Sequence, residues 1–287
     1  MRILLDAKDL IDLVEFNRPI EITALSAWLN KGRATLVLSM TNVSDFVGAV
    51  FDGGDFLRMR ALLQKIETLP LAYIREGRII RDELSLAVAA YQPGHEPTSL
   101  DPYVSRWDEA AHWKDESALK PLVGLRLDEI VYMARGAIQA YKKLTAVQRT
   151  HIERQRELPD SERMSPRDIF INAIPKRFTD HGIEVPKIDF PTFGQWLWRV
   201  PSRCLGLRLQ FEAYHQLLKD RSLAFQNGDI ADFAHIAALP YADFSTVDKR
   251  IADLLGKVFR RLQKCDGKAD LSGRIFKRVG DLLATFP

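Results

Sequence analysis

Short apolar segments with the character of buried strands alternate with amphipathic helical segments in the first third of the chain, and again near its end. The first apolar segment, 2–5, stops at Asp6, and similar segments lie at 34–39, 71–74 and 242–246. Each is followed by a segment whose apolar residues recur at helical spacing. Strands that alternate with helices favour a parallel sheet covered by helices on both faces. The sequence therefore predicts an α/β fold.

The middle of the chain has a different character, with little strand signal, a charged stretch and several prolines. We interpret it as a helical insertion, or small lobe, set into the α/β core. The predicted sections are a first part of the core at 1–92, the insertion at 93–206, a second part of the core at 207–263 and a basic C-terminal tail at 264–287. Helices are predicted at 9–15, 22–29, 56–66, 80–91, 127–141, 207–223, 229–239 and 249–262.

The charge balance leaves the class of partner open. The net charge of +3 does not by itself indicate nucleic acid. From residue 251 to the end, eight Lys and Arg residues stand against four Asp residues, which suits either a phosphate backbone or a solvated helix face.

Cysteine usage and hydropathy bear on the compartment. Cys204 and Cys265 cannot form a CxxC site or a disulfide framework, and we interpret them as reduced thiols of a cytoplasmic protein. No apolar run approaches the roughly 18 residues that a membrane span needs. The apolar segment at the N-terminus is too short for the core of a signal peptide. We therefore expect no membrane partner.

Aspartates follow several of the predicted strands. Asp6 comes directly after the first strand, Asp45 lies beyond the second and Asp248 follows the fourth. Asp232 lies near the start of a short helix, and Asp229 precedes it by one turn. Ligands of an open parallel sheet bind beyond the carboxyl ends of the strands, where these acids would meet. Each acid taken singly also suits an ordinary helix cap.

Carboxylates that gather at one place repel one another unless a cation joins them. Mg²⁺ and Mn²⁺ prefer oxygen ligands, so a divalent ion would join these acids, and such a site suits phosphodiester hydrolysis. The chain has no GxxxxGK[ST], GxGxxG, GxSxG or HExxH motif for other chemistry. His235 is expected to be packed or exposed and not a ligand. Trp196 and Trp198 are expected to belong to the core, with stacking on unpaired bases as the alternative.

Three blocks together are similar to the PIN-domain family of ribonucleases. ILLDAKDLIDLVE (3–15) resembles the family's opening strand and helix, and LVLSMTNVSDF (36–46) looks like its second block. DIADFAHIAALPYADFSTVDKRI (229–251) is similar to the closing block, where a helix led by Asp precedes a strand that ends in Thr-x-Asp. The resemblance covers about 1–92 and 207–263 and leaves out the insertion.

The resemblance implies a three-layer α/β/α fold, a Mg²⁺ or Mn²⁺ site and cleavage of single-stranded or structured RNA. The acids carried over are Asp6, Asp45, Asp232 and Asp248, with Asp229 as a further metal ligand. Thr246 would orient the site or a phosphate, and Lys249 and Arg250 would contact the RNA backbone. A protein partner and an oligomer are both compatible with such a chain.

The chain departs from the family pattern in the first two blocks. Ala7 and Lys8 stand where Ser or Thr and then Asn are common, and position 45 is Asp where Glu is usual. Lys8 would either reach the scissile phosphate or pair with the carboxylates in place of a metal. The alternative function is therefore a PIN-like scaffold that binds RNA or protein without cutting. A phosphatase or receiver domain fits less well, because no second acid accompanies Asp6 as those classes require.

Overall fold

A computed structural model describes residues 1–15, 19–43, 45, 56–105, 135–159, 164–184, 187–223, 225–226 and 229–285. The side chains of residues 19–22, 56, 135–144 and 229–231 lie outside this description. Strands and helices within these ranges are named below in chain order.

The described strands form a single six-stranded sheet. Their order is β4-β3-β2-β1-β5-β6, and every neighbouring pair is parallel except β3 and β4, which are antiparallel. The chain runs outward from β1 to β3 on one side and returns to β5 and β6 on the other, so the order reverses at β1. The strands are β1 (Arg2–Leu4), β2 (Thr35–Leu38), β3 (Leu71–Ile74), β4 (Tyr103–Val104), β5 (Phe244–Thr246) and β6 (Ile275–Phe276).

Helices connect the strands and cover the sheet. Those in the first half are α1 (Ala7–Glu15), α2 (Pro19–Asn30), α3 (Phe56–Ile66), α4 (Ile79–Tyr91) and α5 (Arg135–Glu157). Those in the second half are α6 (Pro166–Asp180), α7 (Phe190–Arg199), α8 (Leu205–Lys219), α9 (Asp229–Ala238), α10 (Lys249–Leu262) and α11 (Val279–Leu283). The first turn of α6 is closed by the side chain of Ser165, which accepts the Asp168 N–H at 3.2 Å, as expected of an N-cap serine.

Two hydrophobic clusters lie on the two faces of the sheet. Alternate residues of a strand point to opposite faces, so Leu4 and Val37 pack in one cluster while Ile3 and Leu36 pack in the other. The first cluster also contains residues of α4 and α6 to α10, and the second contains residues of α1, α2, α3 and α11. The predicted α/β class is therefore confirmed, and the covered sheet is compatible with the predicted three layers.

The predicted strands and most predicted helices are present with small shifts at their ends. The helix predicted at 127–141 lies largely outside the described residues, and α5 continues to Glu157 through a polar stretch that was not assigned as helix. Strands β4 and β6 were not predicted. Each has only two residues and pairs with the edge of an existing strand, so a period of two is not detectable in its sequence.

The predicted section boundaries stay predictions, and two observations bear on them. In the described part of the predicted insertion, Phe170, Phe178 and Phe193 pack in the same cluster as Leu4 of the sheet. The section 264–287 contributes β6 to the sheet and α11 to the second cluster. Apolar side chains in both sections bury against the sheet's helices, which a local pattern does not reveal.

Two further observations concern membranes and cysteines. No helix among the described residues is long and apolar enough to cross a membrane. Cys204 is buried and Cys265 is exposed, and both are free thiols. Burial, followed by the charge of Glu83, raises the pKa of the Cys204 thiol well above its usual value, which makes this thiol unreactive.

The buried carboxyl of Glu83 joins α4 to the start of α8. It accepts the backbone N–H of Gly206 at 2.6 Å and that of Leu207 at 2.9 Å, and the Tyr241 hydroxyl donates to it as well. These contacts satisfy N–H groups in the first turn of α8 that have no partner within the helix. Burial nevertheless outweighs the three hydrogen bonds and raises the pKa of Glu83 to about 7.

Glu83 is expected to make the stability of the fold depend on pH. Because its pKa rises from 4.5 to about 7 on folding, its contribution is complete below pH 4.5 and is lost as the pH rises through 7. We expect the free energy of unfolding to fall by on the order of 2 kcal/mol between pH 5 and pH 8 through this group. Urea unfolding of the wild type and Glu83→Gln at both pH values isolates the effect as the difference between them. An identical pH dependence in the two proteins would contradict the assignment.

Candidate functional site

The predicted acids converge on one pocket at the carboxyl edge of the sheet. Asp6, Asp45, Asp232 and Asp248 all line it, and they come from four separate segments of the chain. Asp6 follows β1 and Asp248 follows β5, the two neighbouring parallel strands at which the strand order reverses. This is the position at which open parallel sheets bind ligands. The convergence is thus confirmed, while catalysis and metal binding by these residues stay predictions.

The pocket is small and polar. Its volume is about 30 Å³, and Thr41, Asn42, His235 and Thr246 line it together with the acids. A site needs roughly 10–15 Å³ to hold one water molecule, so this space suits an ion with one or two waters. A nucleotide does not fit inside it. A polymeric substrate would therefore approach the rim of the pocket from outside.

Two of the four acids also serve as helix caps. Asp6 Oδ1 accepts the N–H of Lys8 at 3.1 Å at the start of α1, and Asp248 Oδ1 accepts the N–H of Ile251 at 2.7 Å at the start of α10. These two aspartates therefore do have the ordinary structural role of helix caps. A carboxylate has about four acceptor positions on its two oxygens, so a cap on Oδ1 leaves capacity for a cation.

The carboxyl of Asp45 is strongly perturbed by its surroundings. The residue is exposed by surface area, yet the protein around its carboxyl group desolvates it and, with the charges of Asp6 and Glu76, raises its pKa to about 7. The positive charge of His235 acts in the opposite direction. This mutual repulsion is the situation that a bound cation relieves.

A buried polar network beneath the pocket was not predicted. Glu76, two residues after β3, accepts the Thr41 N–H at 3.0 Å and lies 3.3 Å from His235 Nδ1. Burial alone lowers the pKa of His235, but the hydrogen bond that His235 donates to Glu76 and the charges of nearby carboxylates outweigh it, so the pKa is raised. Glu76 meets the positional criterion that selected Asp6, namely an acid just beyond a strand. His235 is packed, as expected, and nothing in its local sequence indicates its partner.

The remaining predicted site residues divide between the pocket and its surroundings. Thr246 is fully buried, and its hydroxyl accepts the Asp6 N–H at 2.9 Å, which favours its role in orienting the site over contact with a phosphate. Lys8 is exposed and is not among the residues that line the pocket. The side chain of Asp229 lies outside the described residues. Asp243 precedes β5 at the opposite edge of the sheet, away from the pocket, and accepts the Arg2 N–H at 2.7 Å.

Lys249 and Arg250 lie in the first turn of α10, directly after Asp248. Both line a surface groove of about 370 Å³ together with Lys257, about two turns further along the same helix. Lys257 pairs with Asp220 at 2.6 Å. The groove carries these three cationic side chains together with Asp253, and contact of Lys249 and Arg250 with a phosphate backbone stays a prediction.

Trp196 and Trp198 belong to the core, as expected. The guanidinium of Arg203 lies 4.1 Å from the Trp196 ring centroid, and that of Arg208 lies 3.4 Å from the Trp198 ring centroid. Both rings pack against the hydrophobic cluster on the first face of the sheet. Because an arginine of the same chain covers one face of each partly buried ring, these rings do not offer an open platform for stacking of bases.

The donor set of the pocket can be tested for its fit to Mg²⁺ or Mn²⁺. The acids supply carboxylate oxygens, the ligands that these ions prefer. Within the described part of the chain, no group of three or more His, Cys, Asp or Glu side chains is arranged to hold a metal ion. Mg²⁺ in proteins usually binds one or two carboxylates and keeps several waters. The pocket therefore fits a partly hydrated ion on few protein ligands and not a closed ligand set.

Comparisons with known proteins assign no family to the chain, so a proposal about its function depends on the geometry of this pocket. No protein family, no curated protein and no solved structure matches the chain.

Proposed function

We propose that this chain is a divalent-metal-dependent endoribonuclease that acts in the cytoplasm. The observation that carries the proposal is the meeting of four aspartates, from four separate segments, in one pocket at the point where the strand order reverses. Asp6 and Asp248 also act as helix caps, and a shared cation explains why all four acids line the same space. RNA is the substrate class that the resemblance to PIN-domain proteins implies.

Asp6, Asp45 and Asp232 are the residues that would hold the ion, with Asp248 beside them. A bound Mg²⁺ or Mn²⁺ would supply an activated water and charge stabilisation for phosphodiester hydrolysis. The contribution of the chain's own residues is to hold the carboxylates in position. Thr246 fixes the backbone of Asp6 through its hydroxyl, and the cap on α10 fixes Asp248. The protein around the carboxyl of Asp45 desolvates it, so that its charge acts more strongly there than in water.

Substrate contact is assigned to the rim. Lys249 and Arg250 would contact phosphates of a strand whose scissile bond lies at the mouth of the pocket. Such contacts position the backbone and carry no information on sequence. The exposed Lys8 is placed to approach the same strand, since it follows Asp6 by two residues.

A second candidate is a scaffold that binds RNA or protein without cutting. It is favoured by one observation, namely that no three acidic, histidine or cysteine side chains in the described residues are arranged for a metal. The replacement of the usual hydroxyl residue by Ala7 points the same way. The position of Lys8 argues against it, because an exposed side chain outside the pocket lining does not take the place of an ion.

The deciding experiment is incubation of the purified chain with labelled single-stranded RNA, structured RNA and DNA, with Mn²⁺, Mg²⁺ or a chelator. Asp6→Asn and Asp232→Asn are expected to lose activity by roughly 100-fold or more, since a metal site contributes several kcal/mol to catalysis. Asp180→Asn is the matched control, because Asp180 forms an exposed pair with Lys176 at 2.8 Å in α6. It is expected to cleave at the wild-type rate.

The outcomes separate the two candidates. Equal cleavage by all four proteins, or cleavage that persists in the chelator, contradicts the nuclease proposal. Binding of RNA without cleavage under any metal condition supports the scaffold. Circular dichroism of each variant excludes loss of fold, and removal of mutual repulsion between carboxylates is not expected to destabilise the metal-free protein.

A further inference from the structure

One continuous hydrogen-bond network underlies the acid pocket and joins four parts of the fold. Ser39 lies at the end of β2. Its hydroxyl oxygen is 3.3 Å from His235 Nδ1, and its hydroxyl donates to Asn42 Oδ1 at 3.0 Å. The Asn42 amide donates to the carbonyl of Leu5, the residue before Asp6, at 2.9 Å. The network is buried throughout, with Ser39 0% and Asn42 1% exposed.

The pair of Glu76 and His235 extends this network to β3 and α9. Glu76 Oε1 lies 3.3 Å from His235 Nδ1, and both oxygens of Glu76 accept the Thr41 hydroxyl, at 3.1 and 3.0 Å. His235 follows Asp232 by three residues in α9, so the two side chains share one face of that helix. Thr41 precedes Asp45 by four residues, and residues 40–43 and 45 are helical.

The stability of the fold does not by itself require this buried pair of ionisable side chains. Two ionisable side chains, His235 at 8% and Glu76 at 5% exposed, lie where apolar residues would pack at lower cost in desolvation. Their contact crosses from α9 to the segment after β3, and through Thr41 it reaches the segment after β2. It therefore connects the two parts of the chain that supply Asp232 and Asp45.

We propose that His235 and Glu76 are positioning residues of the acid pocket, which hold α9 against the segment after β2 so that Asp232 and Asp45 face one space. The proposal rests on the proposed function, since it assigns the two residues a role in metal binding. Neither residue is assigned as a ligand. Their action passes through the backbone of Thr41 and through the face of α9.

Measurement of Mn²⁺ affinity tests this role, because loss of positive charge and loss of positioning would change that affinity in opposite directions. His235 lies 3.3 Å from Glu76, and in its protonated form it carries positive charge near the acids, so electrostatics alone predicts that His235→Leu strengthens the binding of Mn²⁺. Loss of positioning weakens it, by about 10- to 100-fold if the effect matches that of other residues that orient metal ligands. His235→Asn keeps a polar atom close to the position of Nδ1 and is expected to restore most of the affinity.

The experiment is a titration of the full chain with Mn²⁺, followed by electron paramagnetic resonance, for the wild type, His235→Leu and His235→Asn. His215→Leu is the matched control, because His215 is a half-buried helical histidine that stacks on Phe211 in α8 and does not line the pocket. Ser39→Ala is a neutral second variant. Ser39→Ala removes the hydroxyl next to His235 without a change of charge. It serves as the test variant if His235→Leu does not fold.

Three results are possible. Weaker Mn²⁺ binding in His235→Leu and Ser39→Ala, with recovery in His235→Asn, supports the positioning role. Wild-type or stronger binding in folded His235→Leu and in Ser39→Ala overturns the inference and leaves the proposed function intact. Absence of Mn²⁺ binding in the wild type overturns the proposed function and the inference with it.

Discussion

Replacement of Glu212 by alanine is expected to lower the free energy of unfolding by about 3–5 kcal/mol, the usual cost of breaking a buried ion pair. Glu212 Oε1 accepts from Arg208 Nε at 2.9 Å, and their side chains are 1% and 3% exposed. Arg261 pairs with the other oxygen of Glu212. Burial, followed by the charge of Arg261, already lowers the pKa of Arg208 to about 9. Without Glu212, two arginines would face each other with no carboxylate between them.

The measurement is urea unfolding followed by circular dichroism, beside Glu153→Ala. Glu153 is an exposed residue of α5, so the same substitution there is expected to change stability by less than about 0.5 kcal/mol. Glu212→Leu combined with Arg208→Met tests the cause, since it removes the buried charge of Arg208 and leaves only the more exposed Arg261 without its carboxylate partner. We expect the double variant to be more stable than Glu212→Ala. Equal losses in Glu212→Ala and Glu153→Ala would contradict the assignment of the buried pair.

Gly206→Ala is expected to destabilise the protein by about 3 kcal/mol, at the upper end of the usual cost of overpacking. A Cβ at Gly206 would lie 2.6 Å from the carbonyl oxygen of Ala237 and 3.0 Å from Ile79 Cγ2. The first contact is with backbone at the end of α9, so relief requires that the helix itself moves. Because α9 carries Asp232 and His235, the displacement is also expected to weaken Mn²⁺ binding at the acid pocket.

Gly256→Ala is the matched control with the opposite sign. Gly256 lies within α10, and a Cβ there meets nothing within 4 Å. Alanine is favoured over glycine inside a helix by about 0.5–1 kcal/mol, so this variant is expected to be more stable than the wild type. Thermal unfolding of both variants gives the comparison. Equal shifts of the two melting temperatures in the same direction would show that the contact between α8 and α9 is not the cause.

Patterns of neighbouring residues determined much of the fold and the choice of acids. Strands β1, β2, β3 and β5 were predicted because each is an apolar run long enough to be recognised, and their alternation with helices determines a parallel sheet. The position of Asp6, Asp45 and Asp248 after strands was sufficient to predict that they meet, because parallel strands end at one edge. These features depend on local sequence and on the chirality of connections, which hold wherever the pattern occurs.

Two features became clear only from the tertiary structure. These are the buried residues that support the acids and the pairing of β4 and β6 with the edges of the sheet. Strands β4 and β6 exist because an edge of the sheet was open to them, and their two residues each contain no period to detect. The contact of Glu76 with His235 joins residues that are distant in sequence, and neither residue indicates the other. The physical reason is that burial and hydrogen bonding are satisfied across the whole molecule, whereas a sequence pattern reports only the preferences of neighbouring residues.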